Sequence, residues 1–169
     1  MKLFVLLPIL YSLNCSAKSS PVVIPQVNDF YSDGCSMYPD DEKIGGKTSW
    51  IHCCFVHDIA YWMGGTSEQR MDADLELKQC VSQVTSKAHG EIVFLGVRMG
   101  GGPNTKLPWR WGYGLTNYTG YRELTDQDKE AIEKKYESVL DAFKFYRPSL
   151  NESQQDYILS GIEFHKKNL

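Results

Sequence analysis

A mostly α-helical fold held by disulfide bonds is the class that this 169-residue sequence predicts. Several segments place apolar residues at helical spacing between recognisable helix starts and stops. Four of the five cysteines follow residue 17, and an even set of this kind forms two disulfides in a secreted chain. Because 42% of the residues are hydrophobic, the chain can bury one well-packed core, and we predict a single domain over residues 18–169.

The balance of charge narrows the range of partners. The sequence has 18 lysines and arginines against 21 acidic residues, which gives a formal net charge of −3 at pH 7. A protein that binds nucleic acid presents a basic face or stripe, so we expect no nucleic-acid partner. The composition also excludes a disordered tail and a coiled coil. We expect the protein to be a monomer.

Residues 1–17 have the pattern of a secretory signal peptide. Lys2 supplies a positive charge, a short apolar stretch follows, and the segment ends in small residues. We therefore expect cleavage after Ala17 and a secreted protein, extracellular or periplasmic according to its source. One alternative is a buried helix of the mature fold, which Pro8 and the lack of a polar face disfavour. The other is lipidation of Cys15, which the residues before it fit poorly.

The first elements after this segment are predicted from proline, glycine and capping signals. Two prolines disfavour helix over residues 18–32, and residues 33–47 are rich in Asp, Gly and Pro and predict a loop. A first helix is predicted over residues 48–63, where two glycines stop it. A capping box that begins at Thr66 predicts a second, long helix that continues to about residue 88.

The second half of the chain contains a short apolar run, an aromatic-rich loop and two more helices. Residues 92–99 are apolar, can be helical, and end in a run of glycines. Residues 103–121 carry several Trp and Tyr residues and predict a loop. Two last helices are predicted over residues 125–145, where Thr125 and Asp128 mark the start, and over residues 152–165.

The cysteine positions leave two disulfide arrangements open. The four cysteines are Cys35, Cys53, Cys54 and Cys80. Cys53 and Cys54 are neighbours on the predicted first helix, so they do not pair comfortably with each other. Cys35 therefore pairs with Cys54 while Cys53 pairs with Cys80, or the two partners are exchanged. A zinc site is disfavoured because the adjacent cysteines do not match the spacing of zinc knuckles.

Titratable residues lie beside these cysteines on the two predicted helices. On a wheel of about 100° per residue, His57 shares an arc with Cys53, and Asp58 lies at the edge of that arc. On the second helix, Asp74 flanks the face that carries Cys80. A Cys53–Cys80 bond would lay the two helices side by side and antiparallel, which would bring Asp74 within reach of the His57 ring.

These residues have the chemistry of a hydrolytic site. A carboxylate such as Asp74 on one imidazole nitrogen holds the ring in one tautomer and leaves the other nitrogen of His57 as a base. Asp58 and Asp33 offer carboxylate oxygens of the kind that calcium prefers. A base, an orienting carboxylate and a cation are the parts of metal-assisted ester hydrolysis.

Each of these residues also has a structural interpretation. A single histidine on a helix is commonly a satisfied structural residue, and Asp74 can pair with Arg70 four residues earlier. Asp33 can be a turn residue before Gly34. None of these interpretations predicts that the residues converge through one disulfide pattern.

One stretch of the chain resembles the CCxxHDxCY helix motif of the secreted phospholipase A2 superfamily. It reads CCFVHDIAY from Cys53 to Tyr61, and Asp74, six residues before Cys80, continues the resemblance on the second helix. The resemblance implies a phospholipase A2-like fold of two antiparallel disulfide-linked helices with additional C-terminal helices. It also implies that Cys35 pairs with Cys54 and Cys53 with Cys80.

The resemblance further implies a role for each matching residue. His57 would be the base, Asp74 its orienting partner, Tyr61 a hydrogen-bond donor to Asp74, and Asp58 a calcium ligand. The family's bridge between the two helices would need cysteines at the positions of Ala60 and Ala73, which are both alanine here. The loop that reads Asp33-Gly34-Cys35 is closer to the bacterial and fungal branch, which implies that the Asp33 side chain and the Gly34 carbonyl complete the Ca²⁺ site.

The implied activity is calcium-dependent hydrolysis of the sn-2 acyl ester of glycerophospholipids, with a phospholipid or membrane surface as the substrate. The alternatives are a non-catalytic binding module of the same fold and an esterase that acts on another acyl ester. Four aromatic residues are candidates for lipid contact, although core packing is favoured for most of them: Phe94, Trp109, Trp111 and Tyr113. We predict surface or local structural roles for the remaining histidines, His52, His89 and His165.

Overall fold

The computed structural model describes residues 25–36 and 50–169, and helices dominate this part of the chain. The predicted signal peptide and most of the predicted loop after residue 36 lie outside the described residues. The mostly α class is confirmed, since the described residues contain no β-strand beyond an isolated antiparallel bridge between Val27 and Leu115. There are six helices among them: α1 (Ile51–Met63), α2 (Ser67–Val84), α3 (Lys87–Gly100), α4 (Asp126–Lys135), α5 (Glu137–Tyr146) and α6 (Glu152–Lys167).

Helices α1 and α2 form the antiparallel pair that carries the candidate site. Helix α1 stops at Gly64, whose φ of 78° lies in the left-handed region that favours glycine. The predicted capping box is present at the start of α2, where the Thr66 and Gln69 side chains and backbone N–H groups bond reciprocally. Helix α1 therefore ends, and α2 begins, where local sequence signals direct them.

The predicted second helix is wrong at its C-terminal end, because α2 stops at Val84 and a separate helix follows. The Ser86 side chain accepts a hydrogen bond from the His89 backbone N–H and caps α3. Gly90 lets α3 approach α2 closely, since a Cβ there would lie 2.0 Å from the Ser82 hydroxyl oxygen. The apolar run predicted over residues 92–99 belongs to this longer helix.

The single helix predicted over residues 125–145 is also wrong, because Tyr136 divides it into α4 and α5. The Tyr136 backbone N–H donates to Glu133, three residues earlier, which tightens the last turn of α4. Its buried phenol donates to the Ile162 carbonyl on α6 at 2.8 Å. Tyr136 also meets the Trp62 ring edge-on, so the break falls at a residue held by tertiary packing, which helical periodicity alone does not reveal.

Helix α6 covers α1 and closes the main core. A Cβ at Gly161 would lie 2.7 Å from the Val56 methyl groups, so only glycine allows this close helix contact. The aromatic loop packs on the same core, where Trp111 and Tyr118 are buried and hydrogen-bond to the Gly65 carbonyl. Core packing is therefore confirmed for Trp111, whereas Trp109 and Tyr113 are half-buried.

Within residues 25–36 and 50–169, no helix is long and apolar enough to cross a membrane. Two disulfides are present, which is typical of proteins from extracellular or other oxidising environments.

Candidate active site

Two disulfides connect the three segments that carry the candidate site residues. Cys35 is bonded to Cys54, which ties the N-terminal segment to α1, and Cys53 is bonded to Cys80, which ties α1 to α2. Of the two arrangements that the spacing left open, the structure adopts the one that the resemblance implies.

The antiparallel register of α1 and α2 places His57 against Asp74. The order of the links reverses along α2, since Cys53 bonds to Cys80, His57 contacts Asp74, and Tyr61 contacts Arg70. The distance from His57 Nε2 to Asp74 Oδ1 is 2.8 Å, and the Asp74 side chain is fully buried. The carboxylate therefore holds the proton of the ring on Nε2.

Both oxygens of Asp74 accept hydrogen bonds. The Tyr61 hydroxyl donates to Oδ1 at 2.8 Å, and the Arg98 guanidinium donates to Oδ2 at 2.6 Å. Burial acts to raise the pKa of Asp74, but the hydrogen bonds from His57, Arg98 and Tyr61 outweigh it and hold this pKa below its ordinary value. Asp74 is therefore a carboxylate at neutral pH.

Sequence reasoning missed Arg98 and placed Arg70 only as an alternative partner of Asp74. The Arg70 Nε lies 3.7 Å from Asp74 Oδ2 but donates at 2.9 Å to the Tyr61 hydroxyl. Its terminal nitrogens donate to the carbonyls of Val97 and Arg98 and to the Tyr121 hydroxyl. A signal for Arg98 was present, because it is the one charged residue in the otherwise apolar run over residues 92–99.

Tyr61 links the Asp74 carboxylate to the Arg70 guanidinium. Its hydroxyl accepts from Arg70 and donates to Asp74. Burial first, and the negative charge of Asp74 second, raise the pKa of Tyr61 well above the ordinary tyrosine value. The phenol therefore stays protonated and acts as a donor.

The other face of His57 borders an apolar groove. His57 Nδ1 lies 4.0 Å from Asp58 Oδ1, and both residues line a groove with a volume of about 230 Å³. One wall is the N-terminal segment at Gly34 and Cys35. The apolar part of the lining comes mainly from α3 and the following loop: Ile92, Val93, Val97, Leu107 and Trp109.

Two of the residues predicted to bind calcium, Asp58 and Gly34, line this groove. The Ser32 hydroxyl donates to Asp58 Oδ2 at 2.7 Å and accepts the Gly34 backbone N–H at 3.2 Å, so it ties the loop to α1. Gly34 lines the groove, whereas the exposed Asp33 carboxylate accepts from the Ser36 hydroxyl at 2.6 Å. Two carboxylates and a backbone carbonyl are hard oxygen donors, which fit calcium.

Tyr113 lies close to these carboxylates. Its hydroxyl donates to the Tyr31 carbonyl, and burial raises the pKa of Tyr113 well above its usual value, with the charges of Asp58 and Asp33 adding to the effect. Both carboxylates therefore act on one phenol. Tyr113, which the sequence offered as a lipid-contact residue, instead packs beside the predicted metal ligands.

In the part of the chain that the structure describes, one group of three side chains has the proximity of transition-metal ligands. It consists of His52, Cys53 and Cys80. The two cysteines are joined to each other, and a disulfide offers no thiolate to a metal. This group is therefore a disulfide with a neighbouring histidine.

Of the three histidines predicted to have surface or local structural roles, His52 is buried, whereas His89 and His165 are half-buried. His52 is buried, and its ring meets the Tyr157 ring edge-on. Burial, together with the charge of His57, lowers the pKa of His165 to about 4. A small cavity that His165 lines also touches Ala60 and Ala73, which occupy the positions of the family's additional bridge.

Comparison of the chain with protein-family models, curated proteins and solved structures finds no match. The resemblance to secreted phospholipases A2 therefore consists of the sequence motif alone.

Proposed function

We propose that the protein is a secreted, calcium-dependent hydrolase of the phospholipase A2 type that cleaves the sn-2 acyl ester of glycerophospholipids. One observation carries this proposal. His57 is anchored through Nε2 to a fully buried carboxylate, and the same histidine lines an apolar groove that can accept an acyl chain.

In this proposal His57 acts as the general base through Nδ1. As a water oxygen attacks the ester carbonyl carbon, Nδ1 accepts a proton from that water. Asp74 keeps the Nε2 proton in place and stabilises the imidazolium that forms. The new proton then passes to the glycerol oxygen as the C–O bond breaks, which regenerates the neutral base.

The oxygen donors beside His57 would hold the cation. Asp58, Asp33 and the Gly34 carbonyl are the proposed ligands. When bound there, calcium would polarise the ester carbonyl and stabilise its developing negative charge. Ser32 contributes by holding the Asp58 carboxylate and the Gly34 backbone in one orientation.

The outer surface of α3 supports a lipid surface as the source of substrate. Ile92, Leu95 and Met99 are 55%, 57% and 81% exposed, although all three are apolar. The one charged residue between Ile92 and Gly100 is Arg98, and it turns inward to Asp74. An uncharged apolar surface therefore borders the groove, where it could enter the interfacial region of a membrane.

The first test is fatty-acid release from phospholipid vesicles, measured with calcium and with a chelator for the wild type and His57→Ala. We expect release that needs calcium and falls about 10³-fold in the variant, because the base is lost. The disulfide-locked fold should remain, which circular dichroism checks. Equal release by His57→Ala would contradict the mechanism.

The same assay separates the alternatives. Folded wild-type protein that binds vesicles without releasing fatty acid would support a non-catalytic binding module. Release from simple acyl esters, but not from phospholipids, would support the other esterase. Calcium-independent release would contradict the proposed metal site.

A further inference from the structure

We propose that Arg98, on α3, is a positioning residue for the candidate catalytic pair. Its guanidinium fixes the plane of the Asp74 carboxylate, so that Oδ1 stays directed at His57. The motif that resembles phospholipase A2 lies on α1 and α2, so Arg98 adds a third helix to the site.

The two oxygens of Asp74 are distinguished by their partners. Oδ1 accepts from His57 and from the Tyr61 hydroxyl, each at 2.8 Å. Oδ2 accepts from Arg98 at 2.6 Å. A carboxylate held at one oxygen alone can rotate about its terminal torsion, which is broad. A charge-assisted bond to the second oxygen restricts that rotation.

Arg70 holds the C-terminal turn of α3 from which Arg98 extends. It donates to the carbonyls of Val97 and Arg98 at 2.7 Å and 3.1 Å, which are acceptors near the helix end. Its Nε donates to Tyr61 on α1. Arg70, which is buried, therefore connects α3 to α1, and the half-buried Arg98 delivers its charge to Asp74.

The competing interpretation is that Arg98 only stabilises the fold through its ion pair with the buried Asp74 carboxylate. The chain offers a matched pair for comparison. Arg122 donates to Asp128 Oδ2 at 2.6 Å, and Asp128 is also buried. This second pair caps α4 and takes no part in the candidate site, so its removal measures the stability effect alone.

The expected loss of catalysis rests on the proposed function, whereas the expected loss of carboxylate orientation at Asp74 does not. We therefore test both in Arg98→Met, Arg98→Lys and the control Arg122→Met. The measurements are the melting temperature, kcat and KM for fatty-acid release at saturating calcium, and the NMR signal of the His57 Nε2–H proton in protein labelled at histidine.

We expect Arg98→Met to lower kcat at least about tenfold with KM changed less than about twofold, because the base is misaligned while the groove is intact. We expect Arg98→Lys to recover most of kcat, since a lysine restores the charge without the planar fork. Arg122→Met should lower the melting temperature while leaving kcat unchanged. The His57 Nε2–H signal should be lost in Arg98→Met, through exchange of this proton with water, and should remain in Arg98→Lys and Arg122→Met.

Unchanged kcat in Arg98→Met, or an equal loss in Arg122→Met, would overturn the proposal. If the wild type releases no fatty acid, the proposed function fails, and the Nε2–H signal alone then tests whether Arg98 positions the pair. Its retention in Arg98→Met would then overturn the positioning role, and its selective loss would support it. If Arg98→Met does not fold, Arg98→Gln takes its place because glutamine also lacks the charged guanidinium, and an unaltered Nε2–H signal and kcat in Arg98→Gln would overturn the proposal.

Discussion

His57 is surrounded differently at its two ring nitrogens, and this difference defines what it can do. Nε2 meets a buried carboxylate, whereas Nδ1 lies on the side of Asp58. The motif predicted both neighbours because His57 and Asp58 are adjacent and Asp74 has a recognisable spacing from Cys80. It did not predict Arg98, which stands 24 residues beyond Asp74 and reaches it only through the packing of α3.

A second histidine predicts how stability depends on pH. The pKa of His165 is about 4 in the folded protein, lowered from 6.5 by burial and by the charge of His57. Between these two values the unfolded chain binds a proton that the folded chain does not. We therefore expect the free energy of unfolding to fall as the pH drops from 6.5 to 4. His165 should account for about one of the protons taken up on unfolding in this range, which sets its share of the slope.

Chemical denaturation of the wild type and His165→Gln between pH 4 and 8 measures this contribution. The variant should show a shallower decline below pH 6.5, and the two profiles should run parallel above pH 7. Parallel profiles over the whole range would show that His165 does not contribute.

At the scale of elements, α3 is the helix whose role the sequence understated. It packs against α2 at Gly90, lines the groove with Val93 and Val97, and supplies Arg98. The sequence predicted only a short apolar run there, because the break after α2 depends on the Ser86 cap. Close packing of α3 on α2 should therefore control both stability and the site.

The same substitution, glycine to alanine, at two positions of α3 tests this packing. A Cβ at Gly90 would lie 2.6 Å from the Lys78 carbonyl oxygen, whereas a Cβ at Gly96 meets nothing within 4 Å. We expect Gly90→Ala to lower the free energy of unfolding by about 1–3 kcal/mol because backbone must move. Gly96→Ala should raise it by about 0.5–1 kcal/mol through helix propensity.

Urea denaturation of both variants provides the measurement. The opposite signs are the expected result, since the change in the side chain is identical and only the surroundings differ. Equal effects of the two substitutions would contradict the close approach of α3 to α2.

At the scale of the whole molecule, α3 both lines the groove and carries an exposed apolar surface. Met99 and Phe145 are 81% and 80% exposed, and neither lines the groove, but Met99 lies on α3, which lines the groove, whereas Phe145 lies on α5, which does not. We expect Met99→Glu to weaken binding to phosphatidylcholine vesicles by about tenfold, because a charge replaces a side chain that would be buried in lipid. Phe145→Glu should change binding less than about twofold.

Vesicle sedimentation at low ionic strength measures this difference. The matched exposure of the two residues makes Phe145→Glu a control for general loss of surface hydrophobicity. Similar losses in both variants, or none in either, would contradict docking through α3.

The sequence by itself determined the features that depend on short spacings. The capping boxes at Thr66, Thr125 and Asn151 each join residues three apart, and all three are present. The adjacent cysteines and the motif around His57 likewise indicated the disulfides and the candidate pair. These interactions are local, or are limited to a few arrangements by the chain.

Only the tertiary structure decided the features that depend on contacts between distant residues. Tyr136 ends α4 because its phenol bonds to Ile162 on α6, and Arg98 turns inward because Asp74 lies buried beneath α3. Helical periodicity shows which residues are apolar, but it does not show where a helix breaks to satisfy a buried polar group. Packing of the helices against one another supplies those partners.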